Sequence, residues 1–453
     1  MLIVDRLAEY LSTENFESLP SRVVNVAKLH ILDSIGNGLY NGSRGMHRDF
    51  MTAVKSIRNS GNCTVIGEKE KLSTTAAAFI NSVQCGLYGG GHRRGYGHPS
   101  YSIIPAALAT SESENVTGKD LITSVVCGFE TFVRIGEAVH PGCYRRGFQT
   151  SAVVGPFSAA AAAGKCLSLN EKEIADSLKL AGVTGAGLVE ALPTPGYSYM
   201  IARGCESGVL STYLAREGLF GPDAIFEGEL GEFSTGFAQA VAGEEYTLEE
   251  ITWGLGNTYE ILNGYIKFHG GCKIGHASMD LVTRMCQEND IGTEKGENIE
   301  EIQLKVSPRQ ANMNEALGLD TDPTTWKQAV FSIPFEVSVA IIEGVPVGPE
   351  KFTEEKIRNE KIRELMKKIE IEGEEGRKSR TAKGLIKTKD GKVYEEELDY
   401  PKGEPEWPLT EKEVKDKFKR LASYRITAEK ADEIVEKVDK LEKINVENLM
   451  KHL

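Results

Sequence analysis

Behind Pro20, the apolar residues Val23, Val24, Ala27, Ile31 and Ile35 recur at helical spacing, which predicts a helix with one buried face. Ser113 to Leu121 carries loop chemistry ahead of the apolar segment Ile122 to Ile135. Ala152 to Cys166 is rich in Ala and Gly and holds an unbroken alanine run from Ala159 to Ala163. Small residues at that density let helix axes approach closely, so this segment is expected at the centre of a helical bundle. Ser207 to Glu217 predicts another amphipathic helix, ended by Gly218.

The pattern changes after about residue 290. Ile302, Leu304 and Val306 alternate with polar neighbours, as a half-buried strand does. Ile369 to Ile371 and Gly384 to Tyr400 read in the same way, and Asp390-Gly391 marks a hairpin turn. Helical patterns intervene at Phe331 to Gly344 and Glu354 to Lys368, and return in the charged tail at Lys412 to Leu421 and Ala428 to Leu441. The expected architecture is mainly α: a large all-helical domain with a smaller α+β domain inserted late.

Composition narrows the classes of function. The chain has 453 residues with 53 Lys plus Arg against 66 Asp plus Glu, a net charge of −13. Such a balance argues against nucleic acid and anionic membrane surfaces as partners. The charge is uneven: residues 351–453 hold 26 basic and 25 acidic side chains, so the acidity belongs to the body. Eight cysteines stand singly without a CxxC pair, which predicts reduced cysteines used as small core residues. Asp5 and Arg6 follow the first four residues at once, and no apolar run approaches a membrane span. A cytoplasmic protein is the expectation.

Against the acidic body, three glycine-punctuated cationic segments stand out. Gly89 to Ser100 combines five glycines with His92, Arg93, Arg94, Tyr96 and His98, offering close backbone approach, proton transfer and anion recognition. It is neither a GxGxxG nor a P-loop pattern. Lys267 to His276 repeats the theme with His269, Cys272 and Lys273. A packed Cys272 with a hydrogen-bonded His276 opening the next helix is favoured there over a metal pair, and Lys267 is the functional candidate. Arg145-Arg146 with Gln149, Thr150 and Ser151 precedes the alanine-rich helix, where an anion site and ordinary capping by Thr150 or Ser151 stand level. Together the segments suggest one site for a small polycarboxylate.

The same segments carry a family resemblance. They include Leu32-Asp33-Ser34-Ile35-Gly36, then His98-Pro99-Ser100 with Ile104-Pro105-Ala106-Ala107-Leu108-Ala109, and Gly155 to Gly164. Gly208-Val209-Leu210 with Leu214 to Gly218 follows, then Lys267 with Cys272, His276 and Asp280. Phe331-Ser332-Ile333-Pro334-Phe335 and Tyr400-Pro401-Lys402-Gly403-Glu404-Pro405 to Lys417-Phe418 complete the series. In order and spacing the chain resembles the MmgE/PrpD family, which includes 2-methylcitrate dehydratase, cis-aconitate decarboxylase and iminodisuccinate epimerase.

The resemblance implies a helical domain from residues 1–265 and 404–453, an α+β lid from 266–403, a homodimer, and an active site between the domains. It implies action on small di- and tricarboxylates without an organic cofactor, and no metal is expected. The chain departs from the family where an Asp-Asp-Thr-His-type stretch is replaced by Gly90-Gly91-His92-Arg93, a usual His by Gln149, and a usual Lys by Tyr197. The resulting expectation is a dehydratase-like lyase. His98 would move the proton, aided by His92 or Tyr197, while Lys267 with Arg93 or Arg94 holds carboxylates. Tyr96, Arg146, Gln149 and His269 complete the candidate substrate-binding residues. An epimerase or racemase sharing the same first step is the alternative, followed by a carboxylate-binding protein without turnover.

Overall fold

The computed structural model describes the chain except residues 58–59, 87–90, 93–95, 193, 230–234, 292–295 and 317–321, and except the side chains of 91–92, 313–316 and 327. It divides into two compact units, Met1–Ile266 with Thr410–Leu453, and Lys267–Leu409.

The first unit opens with α1 (Ile3–Thr13), α2 (Ser21–Ser43) and α3 (Arg48–Ile57), then β1 (Cys63–Thr64), β2 (Lys71–Leu72) and α4 (Thr74–Cys85). After β3 (Gly91–His92) come α5 (Ser100–Glu114), α6 (Gly118–Val139), α7 (Gly142–Arg145), α8 (Thr150–Cys166), α9 (Glu171–Gly182) and α10 (Gly196–Arg216). The short α11 (Phe237–Ala242) and β4 (Gly264–Tyr265) close this stretch. Val23, Val24, Ala27, Ile31 and Ile35 all face the core from α2. The loop expected over Ser113 to Leu121 shrinks to a tight connection. Asn115 ends α5 in a left-handed conformation, and Thr117 caps α6 in a box with Asp120.

The alanine-rich α8 is buried along nearly its whole length and packs against α5, α6, α9 and α10. Its small side chains are the reason. A Cβ at Gly208 of α10 would lie 2.3 Å from the Pro156 carbonyl oxygen and 2.6 Å from the Ala159 Cβ. The unit is not purely helical. β1 pairs with β2, and β3 with β4, both antiparallel, giving loop segments the backbone partners that no helix supplies.

The second unit contains α12 (His276–Glu288), β5 (Ile299–Val306), α13 (Pro308–Ala316), α14 (Trp326–Ala329) and α15 (Ile333–Glu343). It continues through α16 (Glu354–Ile357), α17 (Glu360–Met366), β6 (Ile369–Gly373), β7 (Ala382–Thr388) and β8 (Val393–Leu398). The sheet order is β6-β5-β7-β8, with β5 and β6 parallel and the other neighbours antiparallel. Gly391, with φ +82°, makes the expected hairpin turn between β7 and β8. The helix expected over Glu354 to Lys368 is two, because Arg358 ends the first and the Asn359 side chain caps the second. A core separate from that of the helical unit joins α12, α15, α17 and the sheet.

The chain then returns to the first unit as α18 (Glu411–Ala422), α19 (Ala428–Asp439) and α20 (Glu447–Met450). The return begins at Thr410 rather than at 404, because Glu404 is fully buried in the second unit against Lys273 and Arg380. In the helical unit, α18 packs on α2, with buried Lys417 paired to Asp33 at 2.5 Å. All eight cysteines are free and seven are buried; burial pushes the Cys127 thiol up to about 12 and Cys166 to about 11. Among the described residues no helix is long and apolar enough to cross a membrane.

Candidate functional site

In the helical unit, the candidate residues gather where three helices begin. His98 stands just before α5, and its backbone N–H donates to Ser151 Oγ in the first turn of α8 at 2.9 Å. Gly97 permits that approach, since a Cβ there would lie 2.7 Å from the Phe132 ring and 2.8 Å from Ser151 Oγ. The His98 ring stacks on Tyr101, with centroids 4.8 Å apart and planes 12° apart. Tyr101 in turn belongs to a small cluster with Ala152, Met200 and Ile201, against which Tyr197 packs. The N-terminal ends of α5, α8 and α10 therefore converge around His98 and Tyr197, and their dipoles favour negative charge there.

Gln149 is the N-cap of α8. Its Oε1 accepts from the Ala152 N–H at 3.2 Å, and its backbone N–H donates to the Gly187 carbonyl at 3.0 Å. Capping thus falls to Gln149, while Ser151 receives the His98 N–H. Tyr96 takes up φ +45° and stacks on the His140 ring. Arg145 is neutralised by Glu245 at 2.5 Å, and Arg146 is exposed at the end of α7 beside Gly243. The backbone of His92 pairs with Gly264 across the β3–β4 ribbon; its side chain, Arg93 and Arg94 lie outside the described residues.

In the α+β unit, Lys267 is buried and its Nζ donates to the Gly271 carbonyl at 3.2 Å. His269 has both ring nitrogens engaged. The Val347 N–H donates to Nδ1 at 3.1 Å, which leaves the proton on Nε2 to be donated to Asp280 Oδ1 at 2.9 Å. Asp280 Oδ2 then accepts from the Lys402 N–H at 2.7 Å. The imidazole expected to bind substrate here ties the loop after Lys267 to α12 and to the segment at Lys402.

His276 opens α12, and its Nε2 donates to the Gly270 carbonyl at 3.2 Å. Burial, reinforced by His269, Lys267 and Lys273, holds its pKa well below the usual imidazole range, so it is neutral. Cys272 and His276 are thus a packed thiol and a hydrogen-bonded imidazole, as expected. Lys273 pairs with buried Glu404, which Arg380 also contacts at 3.3 Å, so its charge is balanced within the unit.

Glu336 is the residue that sequence reasoning missed. It lies wholly buried in the first turn of α15, and its Oε1 accepts from the Cys272 N–H at 3.2 Å. The signal was present: one carboxylate inside the apolar helical run Ile333 to Ile342, just beyond the Ser332-Ile333-Pro334-Phe335 segment. A buried acid on an apolar stripe needs a partner, and here it is the glycine turn after Lys267.

A discontinuous helical unit with a histidine at converging helix starts, and an inserted α+β unit with a buried lysine before a glycine turn, define a two-unit architecture of a recognisable class. The chain belongs to the MmgE/PrpD family: the model for the MmgE/PrpD N-terminal domain matches residues 5–247, and that for the C-terminal domain matches 269–443. Among its relatives, the cis-aconitate decarboxylase-like protein oryM of Aspergillus oryzae is 25% identical, covering 97% of this chain and 94% of the relative. Cis-aconitate decarboxylase of Aspergillus terreus is 24% identical over 98% of this chain and 94% of its own length. The Mus musculus cis-aconitate decarboxylase is 24% identical, with coverages of 94% and 87%.

Proposed function

We propose that this protein is a lyase acting on a small di- or tricarboxylate. The reading is carried by the family match across both units, joined to the buried Lys267. In it, an imidazole takes the proton from the carbon α to a carboxylate, and the electron pair left behind forms a carbon–carbon double bond as hydroxide departs. The hydroxide leaves as water after receiving a proton. His98 is the proton carrier, because imidazole both accepts and donates near neutral pH. Tyr197, packed against the Tyr101 cluster, is the candidate second acid. Lys267 holds a substrate carboxylate and stabilises the charge that builds on it. The absence of an organic cofactor and the homodimer are what the family resemblance implies, and the cytoplasmic reading is supported by the singly spread, free cysteines.

The names of the relatives favour a second reading, decarboxylation, in which carbon dioxide leaves and the carbanion is then protonated. A panel of citrate, cis-aconitate, malate and tartrate, followed by NMR in deuterium oxide, separates the readings. Elimination yields a new alkene, decarboxylation a product lacking one carboxylate, and epimerisation deuterium incorporation with inversion and no loss of water. Saturable binding without product or isotope exchange would favour a non-catalytic binder. His98→Ala is expected to lower turnover by about 10²–10⁴ with an unchanged circular dichroism spectrum. Full turnover in that variant would remove His98 from the mechanism.

A further inference from the structure

The peptide unit joining Gly271 to Cys272 is held at both ends by ionisable side chains. Its carbonyl oxygen accepts from Lys267 Nζ at 3.2 Å, and its N–H donates to Glu336 Oε1 at 3.2 Å, sharing that proton with the Val330 carbonyl. Glu336 is wholly enclosed, and its Oε2 has no hydrogen-bond partner among the described residues. The enclosure is built by missing side chains. A Cβ at Gly271 would lie 2.0 Å from Glu336 Oε1, and one at Gly275 would overlap Oε2.

We infer that Glu336 is a positioning residue for Lys267, acting through the Gly271–Cys272 peptide. An acceptor on the N–H of an amide polarises the bond and strengthens its carbonyl as the acceptor for the Lys267 ammonium. Glu336 thereby fixes the direction of the ammonium and favours its charged form. Burial pushes the Glu336 carboxyl well above the ordinary range, so it serves as a neutral acceptor. The other groups facing this pair are the Cys272 thiol, neutral His276, His269 with Asp280, and Lys273 with Glu404 and Arg380. The catalytic meaning rests on the proposed role of Lys267; the relay itself does not.

The test titrates Lys267 directly. Wild type, Glu336→Gln and Glu336→Leu are labelled with ε-¹³C, ζ-¹⁵N lysine, and the Lys267 signal is assigned by its loss in Lys267→Arg. Glu336→Gln keeps an acceptor for the Cys272 N–H and leaves the Lys267 midpoint where it is. Glu336→Leu leaves the Val330 carbonyl, at 2.6 Å, as the one acceptor for that N–H among the described residues and lowers the midpoint by about half a unit or more. Gly275→Ala, whose methyl would displace Oε2, lowers it in the same direction and serves if the leucine variant does not fold. Equal midpoints throughout, or glutamine moving as far as leucine, overturn the inference.

Turnover of a reacting panel member then separates this inference from the functional reading. Glu336→Leu lowers kcat/KM about tenfold by raising KM as well as lowering kcat, with rescue by Gln, whereas a merely structural loss of active protein would lower kcat alone. A shifted midpoint without wild-type turnover keeps the relay and removes the lyase; turnover without a shift does the reverse.

Discussion

His276 and His98 are the same side chain put to different uses by their surroundings. His98 stands at the meeting of three helix starts, half-buried and stacked on Tyr101. His276 is enclosed among Lys267, Lys273 and His269 and spends its N–H on the Gly270 carbonyl. In the unfolded chain His276 titrates near 6.5, while in the native protein it stays neutral to well below that value. As pH falls below that point the unfolded state takes up a proton the native state refuses, so stability is lost on acidification. His276→Asn keeps an N–H for Gly270 and is expected to lose about 1–2 kcal/mol less than wild type between about pH 7 and pH 5. Urea midpoints at the two pH values check this, and His47, also depressed by burial, acts alike in both proteins and cancels. At this scale Lys267 and His98 were legible because cations and imidazoles set among glycines are uncommon in an acidic chain. Glu336 was not, because its role exists only where α15 meets the Gly271 turn.

At the scale of elements, the α8–α10 crossing shows what small residues do. Gly208 lets the helices touch backbone to backbone, whereas Gly218 ends α10 at φ +88° with nothing within 4 Å of a Cβ. Gly208→Ala therefore overpacks the crossing and is expected to cost about 1–3 kcal/mol. Gly218→Ala costs about 1–2 kcal/mol through backbone strain alone. The discriminating measurement is structural: chemical shifts of the α8 backbone move in Gly208→Ala and stay in place in Gly218→Ala. Helix existence was readable from periodicity and alanine content. The ends were less so, since Asn115, Thr117 and Asn359 act through turn and cap geometry that a repeat of apolar residues does not encode.

For the whole molecule, the chain leaves the helical unit and returns to it. Residues 267–409 own a core built from α12, α15, α17 and the sheet. Expressed alone, they are expected to unfold in one cooperative urea transition. A fragment of residues 1–266 lacks α18, so α2 loses Phe418 from beside Gly36 and Asp33 keeps its buried position without Lys417. Removing one partner from a buried ion pair costs about 3–5 kcal/mol, so that fragment is expected to show no cooperative transition. Adding residues 410–453 as a separate peptide should restore it.

By itself the sequence determined the helical and strand segments, the late change of texture, the balanced tail and the cationic candidates, because periodicity, turn residues and charge are local properties. Only the tertiary structure decided what several of the candidates are bonded to. It spent Gln149 on a cap, bound both nitrogens of His269, balanced Lys273 with Glu404, and set Glu336 behind the peptide that Lys267 grips. Those outcomes depend on contacts between residues far apart in the chain, where burial biases the protonation state and limits the partners each polar atom can reach.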